Sequence, residues 1–309
     1  MRNATTAAVR TTLIITTYNQ PEFLSLVLET VASQKIAPYE TIIADDGSND
    51  ETAKTAREFV ERFNPTFPVI HSWRPDDGFT LNSSRNNALA LARGDYVAMI
   101  DGDCFLSPHF IADHIYFARR GRYVGGTRVN IGPRLKRKIL ETRNVRVGFF
   151  TPGTTKKFHA IRSLPLALAL SGLSPEKGPK REESANPFWR AGVAGANLAY
   201  WRDDALAING FNEALNYYGG NDLEFAARLE KSGVARFHMA HYGAAYHFQH
   251  QKPYGTPSRP RLTPVSPEYL ASLESKTRCR DDLGVSRALR FAQDYERPAR
   301  GYYRFNFTD

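Results

Sequence analysis

The sequence predicts an α/β fold with a mainly parallel central sheet and helices on both faces. Short apolar runs rich in β-branched residues recur at Thr12-Leu13-Ile14-Ile15-Thr16, Thr41-Ile42-Ile43-Ala44, Pro68-Val69-Ile70 and Tyr96-Val97-Ala98-Met99-Ile100. Segments of helical length and periodicity separate them, the alternation that closes a parallel sheet through right-handed crossovers. Polar clusters stand just past the first, second and fourth runs, where open α/β sheets bind their ligands.

Each element follows from local chemistry. After the first strand, Pro21-Glu22 opens a helix: proline suits an early helical position, and an acid there complements the positive end of the dipole. Leu24, Val27, Leu28 and Val31 recur at helical spacing and give this helix one buried face. After the second strand, Ser48 and Glu51 stand at capping-box spacing for a helix running to about Phe63. A third strand, a helix from Ser84 to Ala92 and the fourth strand complete the first half. From Gly132 to Ser184 the pattern loosens. Arg134, Lys136, Arg137, Lys138, Arg143, Arg146, Lys156 and Lys157 form a basic run ahead of the apolar stretch Leu164–Leu170. Regular structure resumes at Gly195–Tyr200 and in a helix through Asp222 to Lys231. The expected organisation is a domain over 1–250, interrupted by a flexible basic insert at 132–184, and a C-terminal extension at 251–309.

The chain has 309 residues and a net charge of +9, which points to an anionic partner such as a phosphorylated substrate, an acidic membrane or nucleic acid. Two cysteines, Cys104 and Cys279, offer neither a disulfide framework nor zinc spacing, so a reducing compartment is expected. The first residues carry no apolar leader, and no apolar run reaches the roughly 20 residues that span a bilayer. These features predict a cytoplasmic protein, with the basic insert as a peripheral contact on the inner face of an anionic membrane.

Asp101-Gly102-Asp103 ends the fourth strand. Two carboxylates at a strand end suit a hard divalent cation, Mn²⁺ or Mg²⁺, shared with a diphosphate. Alone this motif reads equally as a polar turn. Asp45-Asp46-Gly47-Ser48-Asn49-Asp50 follows the second strand, and its carboxylates can accept hydrogen bonds from a base or ribose. The turn after the first strand, Thr17-Tyr18-Asn19-Gln20-Pro21, lacks the Gly-x-Gly-x-x-Gly of a dinucleotide site, and no Gly-x-x-x-x-Gly-Lys-Ser/Thr phosphate loop occurs.

Thr16-Thr17-Tyr18-Asn19, Asp45-Asp46-Gly47-Ser48-Asn49-Asp50, Ser84-Arg85-Asn86-Asn87-Ala88, Asp101-Gly102-Asp103 and Gly195-Ala196-Asn197 stand in the order of family 2 glycosyltransferases. They resemble that family's nucleotide-sugar domain, the GT-A fold. Tyr218-Gly219-Gly220-Asn221-Asp222-Leu223-Glu224 resembles the corresponding region of galactosyltransferases and chondroitin-polymerase-type enzymes. The resemblance spans roughly residues 10 to 250 and divides the domain into a nucleotide-binding half, 10–131, and an acceptor half, 185–250.

The resemblance implies residue roles. Thr17, Tyr18 and Asn19 would line a uridine pocket, and Asp46, with Asp45 beside it, would contact base or ribose. Arg85 would reach the diphosphate or support the metal loop. Asp101, Gly102, Asn197 and Gly220 would lie along the donor, and Asp103 would bind the metal with His247, His250 being the fallback. Asp222 would be the base of an inverting transfer, with Glu224 the next candidate. The family usually has Glu where this chain has Asn221, which leaves the sugar open. Trp189 could stack on a sugar, whereas Trp201 is expected to pack. The function implied is transfer of a sugar from a UDP-sugar to a glycan or glycolipid hydroxyl, in cell-surface polysaccharide or lipopolysaccharide synthesis. Two alternatives remain: a sugar-nucleotide nucleotidyltransferase, which should carry a basic glycine-rich loop after the first strand, and a nucleic-acid-binding protein, which should interleave basic and aromatic residues on one face. Neither pattern is evident, and no nucleic-acid partner is expected.

Overall fold

The computed structural model describes residues 9–126, 128–147, 153–154, 195–216, 220–239, 242–248 and 277–308. Strand and helix alternate through the first hundred residues: β1 (Thr11–Thr17), α1 (Pro21–Ala32), β2 (Glu40–Asp45), α2 (Asp50–Phe63), β3 (Pro68–Trp73), α3 (Leu81–Leu91) and β4 (Tyr96–Asp101). There follow β5 (Cys104–Leu106), α4 (Phe110–Phe117), β6 (Arg122–Gly125), β7 (Arg128–Ile131) and α5 (Pro133–Thr142). The remaining elements are β8 (Leu198–Trp201), α6 (Arg202–Ala207), α7 (Asn221–Lys231), β9 (Ala235–His238), β10 (Ala245–Phe248), α8 (Val285–Ala292) and β11 (Gly301–Asn306).

Eight strands form the main sheet in the order β11-β3-β2-β1-β4-β8-β6-β9. The pairs β11–β3, β3–β2, β2–β1 and β1–β4 are parallel, while β8 runs antiparallel to β4 and β6. Every residue of β1 is buried, as a central strand covered on both faces requires. Its side chains alternate between two cores. Leu13 and Ile15 pack with Leu24, Val27, Leu28 and Val31 of α1 and with Phe59 of α2. Ile14 packs with Ala88 and Leu91 of α3 and with Tyr200, Phe211 and Phe225. This is the fold class the sequence predicts. A small second sheet, β5-β10-β7, sits beyond β4, and its register sets His247 opposite both Cys104 and Asn130.

One expectation is corrected. The start of α2 is capped by Asn49, whose side chain accepts from the Glu51 N–H, and not by Ser48, whose hydroxyl accepts from the Asn19 N–H at 2.8 Å. In the C-terminal extension, 251–309, β11 adds to the main sheet beside β3, and Val285 and Ala288 of α8 join the core against α3. Within 132–184, residues 133–142 are the ordered helix α5, which begins with Pro133 and buries Ile139 while Arg134, Arg137 and Lys138 remain exposed. Lys156, Lys157, Leu164–Leu170, Trp189, Tyr218, Gly219 and His250 lie outside the described residues.

Candidate active site at the carboxyl ends of the strands

β1 and β4 run parallel and end together, and the turn leaving β4 is tied back to β1. The Gly102 N–H donates to the Thr16 carbonyl at 2.7 Å, and Thr16 Oγ1 donates to Asp101 Oδ1 at 3.0 Å. Asp101 keeps 35% of its side chain exposed. Desolvation, then the charge of Asp103, pushes its carboxyl up to about 6 against the opposing effect of Arg85.

Asp103 is buried and its Oδ2 lies 3.3 Å from His247 Nε2. The thiol of buried Cys104 donates to Asp103 Oδ1 at 3.3 Å, and burial raises that thiol well above its usual range. On the other side of the imidazole, His247 Nδ1 lies 3.3 Å from Asn130 Oδ1. With Nδ1–H given to that amide oxygen, Nε2 turns a lone pair toward a carboxylate oxygen, a gap filled by a proton or a metal ion. Among the described residues no group of three or more His, Cys, Asp or Glu side chains converges on a metal position. Asp103 with His247 is a pair, which suits a cation that takes its remaining ligands from a diphosphate and water.

Arg85 joins this edge to α7. It is buried, its Nη1 donates to Asp222 Oδ1 at 2.9 Å, and its Nη2 lies 4.0 Å from Asp101 Oδ1. Its guanidinium sits 5.1 Å from the Phe211 ring centroid, so the charge is fixed by packing as well as by pairing. Asp222 Oδ2 accepts from the Gly195 N–H at 2.7 Å. Glycine is required at 195 because a Cβ there would overlap the Asp222 carboxylate and the Arg85 guanidinium. Gly220 precedes α7 at φ +88°, a left-handed conformation natural to glycine, and delivers Asp222 in the first helical turn. Asn221 is buried, with Nδ2 at 3.3 Å from Asn82 Oδ1 and 3.4 Å from the Leu215 carbonyl.

The edge formed by β1 and β2 is shaped by the Asp45–Asn49 turn. Thr17 Oγ1 and Arg85 Nε are buried atoms with no hydrogen-bond partner among the described residues. Tyr18 is 42% exposed and its hydroxyl donates to Asp76 Oδ2 at 2.9 Å. Asn19, at φ +49°, accepts the Asn49 N–H on its side-chain oxygen. Asp46 accepts from the Thr80 N–H and hydroxyl and from the Ser84 hydroxyl. Burial raises its carboxyl and those hydrogen bonds oppose the rise.

Three expected site residues face inward instead. Asp45 is fully buried and holds His71 Nε2 at 2.7 Å and the Ser48 N–H at 2.7 Å, which removes it from direct contact with a ligand. Asn197 is fully buried, accepting from His114 Nε2 and donating to the Gly243 carbonyl, so it supports the loop ahead of β10. Glu224 accepts two hydrogen bonds from Arg228, at 2.7 and 2.8 Å, with both side chains almost wholly buried. Glu224 thus faces Arg228 inside the fold, whereas Asp222 in the same helical turn is 26% exposed. Trp201 packs, as expected: its Nε1 donates to the Arg119 carbonyl and Arg120 lies over its ring. Sequence reading missed His71, Thr80, Asn130 and Tyr302. Only Thr80, one residue before a helix, carries a local signal; the others matter through strand pairing.

Known proteins resemble this chain in sequence and in fold. Glycosyl transferase family 2 matches residues 12–168, half of the chain, and the N-terminal domain of galactosyltransferase matches 181–251. A hyaluronan synthase of Pasteurella multocida is 27% identical over 237 residues, covering 72% of this chain and 23% of that protein. A chondroitin synthase of Escherichia coli is 26% identical over 253 residues, covering 76% of this chain and 34% of that protein. The chain therefore spans about a quarter to a third of the length of these relatives. GalNAc-T7, solved with UDP, GalNAc and Mn²⁺, superposes with a TM-score of 0.56 at 14% identity, covering 80% of this chain and 45% of that one, a likeness of fold. The sheet topology is that of the GT-A glycosyltransferases, and with the ordered motifs and the matched half of the sequence, this chain belongs to glycosyl transferase family 2.

Proposed function

We propose that this protein transfers a sugar from a UDP-sugar to a hydroxyl of a glycan or glycolipid acceptor, with inversion at the anomeric carbon. The observation that carries the proposal is the line Asp101–Arg85–Asp222, in which a strand-end carboxylate and a helix-start carboxylate meet around one buried guanidinium, with the Asp103–His247 pair two residues along the same turn. Thr17, Tyr18, Asn19 and Asp46 border the uridine side, and the unpartnered Thr17 Oγ1 and Arg85 Nε are polar atoms suited to a polar ligand.

Asp222 is the base. Both its oxygens are already oriented, by Arg85 and by the Gly195 N–H, yet 26% of the side chain is exposed and each oxygen has a further lone pair. The carboxylate takes the proton of the acceptor hydroxyl as that oxygen bonds to the anomeric carbon, and the bond to the diphosphate oxygen breaks on the opposite side. UDP departs with the electron pair of that bond. Asp103 and His247 are the residues that would hold a Mn²⁺ or Mg²⁺ ion, which would supply charge neutralisation to a departing diphosphate. Arg85 keeps the base in place from the side of the donor. The exposed cations of α5 support an anionic acceptor or a peripheral contact with an anionic membrane; no helix among the described residues is long and apolar enough to cross one.

A panel of UDP-sugars, incubated with Mn²⁺ and assayed for UDP release with and without oligosaccharide acceptors, tests the function. Release from at least one donor, stimulated by an acceptor, is expected. Failure of every UDP-sugar alongside turnover of another nucleotide sugar would overturn the donor assignment.

A further inference from the structure

We infer that the C-terminal strand β11 belongs to the donor site: Tyr302 and Arg304 brace the Ser48 turn and thereby set the affinity for the nucleoside diphosphate. The inference rests on the donor reading above and extends it to residues far from the motifs in sequence.

Tyr302 and Arg304 are two apart on a strand and so share a face. From half-buried Tyr302 the contacts are polar and lead inward. Its hydroxyl lies 3.0 Å from His71 Nδ1, and His71 Nε2 lies 2.7 Å from Asp45 Oδ2. A carboxylate only accepts, so Nε2 carries a proton toward Asp45, and Nδ1 is the ring atom that meets the tyrosine hydroxyl. Asp45 Oδ1 then accepts the Ser48 N–H at 2.7 Å. From Arg304 the path is different. Its guanidinium lies 4.9 Å from the Trp73 ring centroid, and Trp73 Nε1 donates to the Ser48 carbonyl at 2.9 Å. Arg304 Nη1 also lies 3.6 Å from Asp50 Oδ1 at the start of α2.

Ser48 is thus held at its N–H and its carbonyl, and both holds trace back to β11. Its hydroxyl accepts from the Asn19 N–H at 2.8 Å, so the same residue fixes the loop that follows β1. Asp46 and Gly47 lie between Asp45 and Ser48, and the turn that carries them can move no further than these holds allow. His71 and Asp45 are both fully buried. Packing β3 against β11 does not need a buried ionisable pair, since apolar groups of similar volume serve a core as well or better. A polar path that ends on the ligand-facing turn is accounted for by positioning.

The test is calorimetric titration of the whole 309-residue chain with UDP and Mn²⁺, paired with steady-state kinetics. Tyr302→Phe removes one hydroxyl and is expected to weaken UDP binding roughly 2- to 10-fold, the scale of one hydrogen bond, while kcat at saturating donor stays at the wild-type value. His71→Gln keeps a donor toward Asp45 and loses the tyrosine contact, so it should match Tyr302→Phe, and the double variant should add little. Tyr303→Phe, on the opposite face of the strand, is the control. Should Tyr302→Phe not fold, Arg304→Gln cuts the second path and reads the same affinity. Unchanged UDP affinity in Tyr302→Phe, or a loss confined to thermal stability, overturns the inference while leaving the donor reading intact. Wild-type protein that binds no UDP overturns the donor reading, and the inference with it.

Discussion

Replacing Glu224 with Gln separates the two acids of the first turn of α7. Arg228 donates to both Glu224 oxygens, at 2.7 and 2.8 Å, and also to the carbonyls of Ile208 and Gly210 at 2.8 Å. Its side chain is 2% exposed and that of Glu224 is 4% exposed, so water cannot replace a lost partner. Glutamine keeps one acceptor oxygen but turns an NH₂ toward the guanidinium and leaves its charge buried without a counter-ion. Removing one partner of a buried pair costs about 3–5 kcal/mol. With an unfolding entropy of roughly 2.1 cal/mol/K per residue, a chain of this size should lose about 5–8 °C in Tm. Differential scanning of ligand-free protein gives the shift, and turnover measured well below both melting points gives the chemistry. The expected result is a large drop in Tm with kcat largely preserved. An unchanged Tm with turnover abolished would refute the scaffold role and make Glu224 the base.

Asp222→Asn keeps the shape and one acceptor oxygen for Arg85 or the Gly195 N–H but cannot take a proton; transfer should fall roughly 10²-fold or more, the scale for a positioned base, while UDP titration remains close to wild type. His114 is fully buried and burial lowers its imidazole to about 4, below its unfolded value, so the unfolded state binds the extra proton first and stability falls as pH drops from about 6.5 toward 4, by about 3 kcal/mol at the limit. Urea unfolding at pH 7 and pH 4.5 should show a larger acid loss for wild type than for His114→Gln, which keeps a donor to Asn197. Asp101, raised to about 6, has the opposite sign: the fold favours its protonated form, so its ionisation costs stability as pH rises from about 4 through 6. Metal-dependent UDP affinity should rise over the upper part of that range, and calorimetric titration at pH 5 and pH 7.5 measures the change.

The parallel half of the fold is legible because each strand is a continuous apolar run and each helix shows one apolar face; Leu24, Val27, Leu28 and Val31 are buried as their spacing requires. The candidate site is legible as carboxylates that end a strand or open a helix: Asp101 and Asp222 both meet Arg85, and Asp103 meets His247. Less legible are side chains whose surroundings come from elements distant in sequence. Asp45 looks like its neighbour Asp46 until β2 and β3 pair and bring His71 beneath it. Glu224 looks like Asp222 until the helix turns it inward onto Arg228. The C-terminal segment carries little periodicity of its own, because β11 draws its burial from an edge that β3 leaves open. Ser48 has the spacing of a cap, yet the hydroxyl is taken by Asn19, and Asn49 caps the helix in its place.

In the proposed mechanism a divalent cation held at Asp103 and His247 joins a nucleoside diphosphate to this sheet edge. The decisive experiment is calorimetric titration of UDP into wild-type protein and Asp103→Ala, each with Mn²⁺ and with EDTA. UDP should bind wild type tightly only with Mn²⁺, and Asp103→Ala should bind no better with the metal than without it. Equal binding of UDP by wild type in EDTA and in Mn²⁺, or metal-dependent binding retained in Asp103→Ala, would overturn the metal assignment.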